Sequence, residues 1–175
     1  MITPGTLLPR FSTNACVSTK EGEEFRTVNS DDFDGEWAVI YSYPKDFTFV
    51  CPTEIVEFDR NLGEFEKRRA VLMGGSTDNE YSHLAWRKAE PDLRDLAHPL
   101  LFISPAMVMD WGILHPEEGV ALRATLIVDP EGFVRFASSN DLSVGRNVAE
   151  IVRVLDALQT GGLTACNWLP GEANL

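Results

Sequence analysis

Trp37-Ala38-Val39-Ile40-Tyr41-Ser42-Tyr43, then Pro44-Lys45-Asp46-Phe47-Thr48-Phe49-Val50, then Cys51-Pro52-Thr53-Glu54, is the stretch on which the fold turns. Its first seven residues are apolar on both parities, as in a strand covered on both faces, which predicts a place near the centre of a sheet. Beyond the loop at residues 44–50, Ile55, Phe58, Leu62 and Phe65 recur at intervals of three, four and three. That spacing predicts an amphipathic helix beginning near Cys51 and Pro52. Pro52 suits a first helical turn, where a missing N–H costs nothing. Residues 70–75 form a second apolar run. Strand, helix, strand in this order predicts a right-handed crossover.

The alternation continues toward the C-terminus. A polar helix is expected around residues 79–89, a strand at 99–103 and a short helical piece near 106–111. Residues 122–128 and 133–138 flank Asp129-Pro130-Glu131-Gly132, whose proline and glycine read as a hairpin turn between antiparallel strands. Val148, Ile151, Val152, Leu155 and Leu158 make a helical stripe that Gly161-Gly162 ends. This element order implies an α/β domain, a central mixed β-sheet flanked by helices on both faces. No repeat or linker divides the chain, so residues 1–160 read as one domain. Residues 161–175, with Cys166, Trp168 and Pro170 but no periodicity, read as a tail that packs through its aromatic side chain.

Composition narrows the function. The chain has 175 residues, 44% of them hydrophobic, enough for a sizeable core. Lys and Arg number 15 against 27 Asp and Glu, for a net charge of -12. Such a surface repels phosphate backbones and anionic lipid, so neither nucleic acid nor a membrane is an expected partner. No apolar run reaches the roughly 20 residues of a membrane helix, and Met1-Ile2-Thr3-Pro4-Gly5 does not open a secretory signal. A soluble, cytoplasmic protein is the expectation.

Cys16, Cys51 and Cys166 are an odd count spread along the chain, which is not a disulfide framework. His83, His98 and His115 stand at no metal-ligand spacing from one another or from a cysteine, so no zinc or other metal is expected. Cys51 has the informative position, where a loop becomes the first turn of a helix. Unpaired N–H groups and the positive end of the helix dipole favour a thiolate there, with pKa values of about 3.5 to 7.5 for cysteines so placed. The bland alternative is a buried, inert thiol. Three residues on stands Glu54, so a dithiol exchange site lacks its second thiol and a thiol–disulfide oxidoreductase is disfavoured. A lone activated thiol suits sulfenic acid chemistry.

Residues 44–54 closely resemble the active-site segment of the typical 2-Cys peroxiredoxins, in particular those of the bacterial alkyl hydroperoxide reductase C type. The resemblance spans nearly the whole chain and includes residues 5–11, Trp86, Arg123, Val144-Gly145-Arg146 and Cys166-Asn167-Trp168. It implies a thioredoxin-like peroxiredoxin fold and reduction of hydrogen peroxide and organic hydroperoxides without metal, flavin or haem. Carried over residue by residue, it implies that Cys51 attacks the peroxide, that Thr48 hydrogen-bonds it, that Pro44 shields the pocket and that Arg123 stabilises the thiolate and the leaving oxygen. Glu54 resembles the acid that orients the arginine, and Trp86 a residue packed close to the site. Taken singly, Thr48 is a loop hydroxyl, Arg123 a surface charge, Glu54 an exposed helix carboxylate and Trp86 a core residue. Only the joint match gives them roles. Arg146 resembles a structural or interface arginine and stands outside the catalytic set. Cys16 has no role in the pattern and reads as an inert thiol.

The tail departs from that pattern. The resolving cysteine of most such proteins stands four places before the tail tryptophan, where this chain has Thr164, while Cys166 stands two places before Trp168. Cys166 is then the candidate resolving thiol, delivered from a partner subunit; a one-cysteine cycle is the alternative. The chain also lacks the Gly-Gly-Leu-Gly insertion at residues 89–100 and the Tyr-Phe extension of peroxide-sensitive relatives, so resistance of Cys51 to sulfinic acid is expected. The resemblance further implies a homodimer assembled into a ring of dimers, with the strand at residues 133–136 able to pair across a two-fold axis. It implies an external reductant: a thioredoxin, a flavoprotein reductase or a small thiol adaptor. The competing reading of another class is a holdase-like chaperone, which would work without the Cys51 thiol.

Overall fold

The computed structural model describes all 175 residues. In chain order the elements are β1 (Ser12–Cys16), β2 (Phe25–Asn29), β3 (Trp37–Ser42), α1 (Cys51–Arg60), α2 (Leu62–Lys67), β4 (Ala70–Ser76), α3 (Glu80–Ala89), β5 (Leu100–Phe102), α4 (Pro105–Asp110), β6 (Arg123–Val128), β7 (Val134–Asn140) and α5 (Val148–Gln159). The strands form one mixed sheet in the order β2-β1-β5-β4-β3-β6-β7. Strands β3, β4 and β5 run parallel. On one side β1 and β2 continue antiparallel, and on the other β6 and β7 do.

The central place expected of residues 37–43 is observed, and its cause is visible in the core. Ala38 and Ile40 face a cluster with Trp111, Met107 and Val108 of the α4 region. Val39, Tyr41 and Tyr43 face the opposite cluster with Ile55 and Phe58 of α1, Trp86 of α3 and Ile151 and Leu155 of α5. Each large apolar side chain so buried contributes roughly 1.5–3 kcal/mol. Covering both faces is what erases the alternation from the sequence.

The stripe at residues 55–65 is two helices rather than one continuous helix. Asn61 interrupts it with φ -93° and ψ 6°, and its side-chain amide donates to the Glu57 carbonyl at 2.8 Å. An asparagine that bonds its own backbone competes with the helical ladder. The hairpin at Asp129 is as expected: Gly132 has φ +86° and its N–H donates to the Asp129 carbonyl at 2.9 Å. Gly161, with φ +66°, follows the end of α5. Trp168 is buried, and its carbonyl accepts from Arg153 Nη1 at 2.9 Å, so the tail is tied to α5 chiefly there.

Candidate active site

Strand β3 ends beneath the loop at residues 44–50, and that loop delivers Cys51 to the first position of α1. Val50 supplies no side-chain cap, Pro52 has no N–H, and the Thr53 N–H turns back to the Val50 carbonyl at 3.1 Å. The Cys51 side chain is fully buried. Antiparallel pairing of β6 with β3, Tyr41 opposite Thr125, brings Arg123 to the same end of the sheet.

Arg123 Nη1 donates to Cys51 Sγ at 3.3 Å and to Glu54 Oε2 at 2.6 Å, while its Nε donates to the Leu142 carbonyl at 2.8 Å. Glu54 is buried beside it, against the bland expectation of an exposed helix carboxylate, because a second guanidinium faces it. Arg146 donates from Nε to Glu54 Oε1 at 2.8 Å and from Nη2 to Oε2 at 2.9 Å, and its own N–H adds a bond to Oε1 at 2.9 Å. Its Nη1 donates to the Ser42 and Ala124 carbonyls, both at 2.8 Å. Of the two roles the sequence left open for Arg146, the structural one matches this placement inside the chain. Two guanidiniums and one carboxylate leave one positive charge in a dry site beside Cys51.

Pro44 is buried at the start of the loop. Thr48 is half-buried, and its hydroxyl donates to the Lys45 carbonyl at 3.0 Å rather than to the Cys51 sulfur. The buried Trp86 ring lies 5.9 Å from that of Tyr43 and 6.0 Å from that of Phe47, so it braces both shoulders of the loop. Phe47 holds φ at +56°, and Phe49 is 95% exposed.

Sequence reasoning missed the loop's other anchor. His83 of α3 reaches Asp46 Oδ2 from Nδ1 at 2.8 Å and the Leu101 carbonyl from Nε2 at 3.0 Å. Asp46 also accepts from the Tyr43 hydroxyl at 3.0 Å and the Ser82 hydroxyl at 2.9 Å. The available signal was an aspartate one place before Phe47 and a histidine on the apolar face of a polar helix. Neither announces the other across 37 residues.

Cys166 lies elsewhere. It is exposed and lines a groove of about 760 Å³ with Trp37, Asp129, Arg153 and Leu158. Trp37 and Asp129 mark the end of the sheet opposite Tyr41 and Arg123. Cys16 is buried, and burial pushes its thiol up despite the nearby Arg87 guanidinium.

Residues 4–137 match the model of the AhpC/TSA family. The chain belongs to that family. Alkyl hydroperoxide reductase C of Mycobacterium tuberculosis is 42% identical over 100% of this chain and 94% of its own length. The reduced 2-Cys peroxiredoxin of Plasmodium vivax superposes with a TM-score of 0.91 at 36% identity, over 99% of this chain and 93% of that one. Mycobacterium tuberculosis AhpC superposes with a TM-score of 0.87 at 41% identity, over 96% and 99%. The fold is therefore the thioredoxin-like peroxiredoxin fold, and the chain is a peroxiredoxin that carries out thiol-dependent peroxide reduction. In this peroxiredoxin the residues singled out from the sequence fall into two groups: Pro44, Thr48, Cys51, Glu54, Trp86 and Arg123 at one end of the sheet, Cys166 at the other.

Proposed function

We propose that this peroxiredoxin reduces hydrogen peroxide and organic hydroperoxides at Cys51 and resolves the product with Cys166 of a partner subunit. The observation that carries the reading is Arg123 Nη1 at 3.3 Å from Cys51 Sγ, with Glu54 shared between two arginines behind it. The Cys51 thiolate attacks one peroxide oxygen. An S–O bond forms, the O–O bond breaks, and the other oxygen leaves as water or alcohol after taking a proton. Arg123 stabilises negative charge on sulfur before the step and on the leaving oxygen during it. Thr48 directs its hydroxyl proton at the Lys45 carbonyl, which leaves its oxygen free to accept the peroxide O–H. Pro44 and Trp86 keep the loop closed over the sulfur.

The Cys166 thiolate then attacks the sulfenic acid, releasing water and forming a disulfide that an external dithiol reduces. A thioredoxin, a flavoprotein reductase or a small thiol adaptor would each serve. Strand β3 separates the two ends of the sheet by about 20 Å at roughly 3.3 Å per residue, so closure within one chain is remote and a partner subunit is favoured. The free edge of β7 offers a two-fold pairing surface for a homodimer, itself the unit of a ring of dimers. Residues 161–175 act in this scheme as the resolving tail. Unpaired cysteines suit a reducing, cytoplasmic setting.

One equivalent of hydrogen peroxide added to fully reduced protein, followed by non-reducing peptide mapping, tests the cycle. A Cys51–Cys166 disulfide joining two chains is the expected product. Sulfenic acid on Cys51 with Cys166 still free would replace the resolving step by a one-cysteine cycle, and an untouched Cys51 would overturn the reading in favour of a holdase-like role.

A further inference from the structure

Tyr41 stands on the face of β3 toward α1 and α5 and is fully buried. Its parallel-ladder neighbour is Gly74, where a β-carbon would meet the ring at 2.3 Å, so the strand below is bare to admit it. The ring is stacked on Phe58 with centroids 4.0 Å apart and planes 7° from parallel. Over this pair lies Arg146, its guanidinium carbon 5.2 Å from the Tyr41 centroid and 5.5 Å from that of Phe58.

The hydroxyl is held as firmly as the ring. Tyr41 Oη lies 2.7 Å from His98 Nε2, and His98 Nδ1 lies 2.8 Å from Asp59 Oδ1, which also accepts the Ala97 N–H at 2.9 Å. A carboxylate only accepts, so Nδ1 carries the proton, Nε2 offers its lone pair, and the tyrosine O–H donates. Burial holds His98 below the ordinary histidine range, which keeps this tautomer in place at neutral pH. Hydrogen-bonding in that direction pushes electron density into the phenol and strengthens the negative face on which Arg146 rests.

We propose that Tyr41 is a positioning residue: its ring face holds Arg146 on Glu54 and thereby keeps Arg123 directed at Cys51. With Arg146 in place, Glu54 is shared and Arg123 retains positive charge for the sulfur. With Arg146 displaced, Glu54 claims Arg123 for itself, and the positive charge facing Cys51 is cancelled. Tyr41 itself touches neither sulfur nor peroxide. The inference rests on Cys51 being the reactive thiol.

The test reads Cys51 directly by its rate of alkylation with iodoacetamide against pH, followed by mass spectrometry of the Cys51 peptide in otherwise intact protein. Tyr41→Phe keeps the ring face and is expected to leave the midpoint of that profile within about 0.3 pH unit. A tetrafluorinated phenylalanine at position 41 keeps the shape but removes the negative face, and is expected to move the midpoint up by about 0.5 to 1 unit. Tyr41→Leu removes the ring and is expected to move it up by about one unit or more, slowing alkylation at pH 6 several-fold. A fluorinated ring that matches Phe, or a folded Leu variant with the wild-type midpoint, would overturn the proposal. Should the Leu variant fail to fold, the comparison of the two isosteric rings decides. Peroxide kinetics bear on the function proposed above, whereas the alkylation profile reads the positioning alone, so the two can fail separately.

Discussion

The two cysteine ends of this molecule are built on opposite principles. Around Cys51 the partners are buried, charged and multiply bonded: Glu54 accepts four hydrogen bonds from Arg123 and Arg146 over 2.6–2.9 Å, counting the Arg146 backbone N–H. Around Cys166 the chain is aperiodic and exposed, tied down by Trp168 and one arginine. A nucleophile needs a fixed electrostatic setting, which only a dry, crowded site supplies. A resolving thiol needs reach and access, which only a loosely tied segment supplies. In the proposed cycle, buried charge at one end and exposure at the other would be two answers to two chemical steps.

The sharpest break of this comparison is Cys51→Ser, for which peroxide reduction is expected to fall by about 10³-fold or more because the serine hydroxyl is a far weaker nucleophile. Cys166→Ser is expected to leave the first, single-turnover oxidation of Cys51 within about twofold, since the tail takes no part in assembling the thiolate. Stopped-flow fluorescence with hydrogen peroxide measures both. Equal loss in the two variants would erase the distinction between the ends.

Next comes the charge cluster. Glu54→Ala leaves two buried guanidiniums without their carboxylate and is expected to cost about 3–5 kcal/mol of stability. Arg123→Ala leaves Glu54 still paired with Arg146, so a smaller cost of about 2 kcal/mol is expected, together with a fall of about 10²-fold in the rate with peroxide. Denaturant unfolding and single-turnover kinetics read the two effects. If Glu54→Ala proved the milder of the two in stability, the sharing of one carboxylate by two arginines would be wrong.

How much of this was written in the sequence follows the same division. The central strand, the helix opened by Cys51-Pro52 and the Asp129 hairpin were legible because short-range patterns specify them. The β1–β2 hairpin was not, since β2 turns only Val28 fully inward and so lacks an alternating signal. The break at Asn61 was hidden under an unbroken apolar stripe, because a side-chain bond to the backbone leaves no mark in hydropathy. At the site, the loop motif named Pro44, Thr48 and Cys51. The links of Asp46 to His83 and of Arg146 to Glu54 span 37 and 92 residues and exist only once the sheet is assembled.

A smaller effect tests the tail. Trp168→Ala removes its one buried aromatic side chain, and the expected result is faster amide exchange in residues 161–175 with global stability lowered by no more than about 1 kcal/mol, because the tail opens below the global unfolding free energy. Hydrogen exchange read by mass spectrometry separates the two. Exchange rising equally in β3 and α1 would mean that the tail belongs to the core's cooperative unit.

The smallest effect is on the pH dependence of stability at the Cys51 end. Burial, partly offset by the hydrogen bond to Asp59, holds His98 below its ordinary value of 6.5. In the unfolded chain the same imidazole takes up a proton near pH 6.5, so below that pH the unfolded state binds more protons than the folded one. The stabilising contribution of neutral His98 is therefore full above pH 6.5 and declines as pH falls from there toward the folded value, at no more than about 1.4 kcal/mol per pH unit. His98→Gln keeps an acceptor for the Tyr41 hydroxyl but does not titrate. Its unfolding free energy is expected to fall less than that of the wild type between pH 7.5 and pH 5, by roughly 1 kcal/mol. The two proteins differ only at the pair of residue 98 with Asp59, so the difference between the two slopes reads that pair. Parallel slopes would show that His98 takes up a proton as freely as an exposed histidine does, and the contrast between a locked end and a loose one would then stop short of Tyr41.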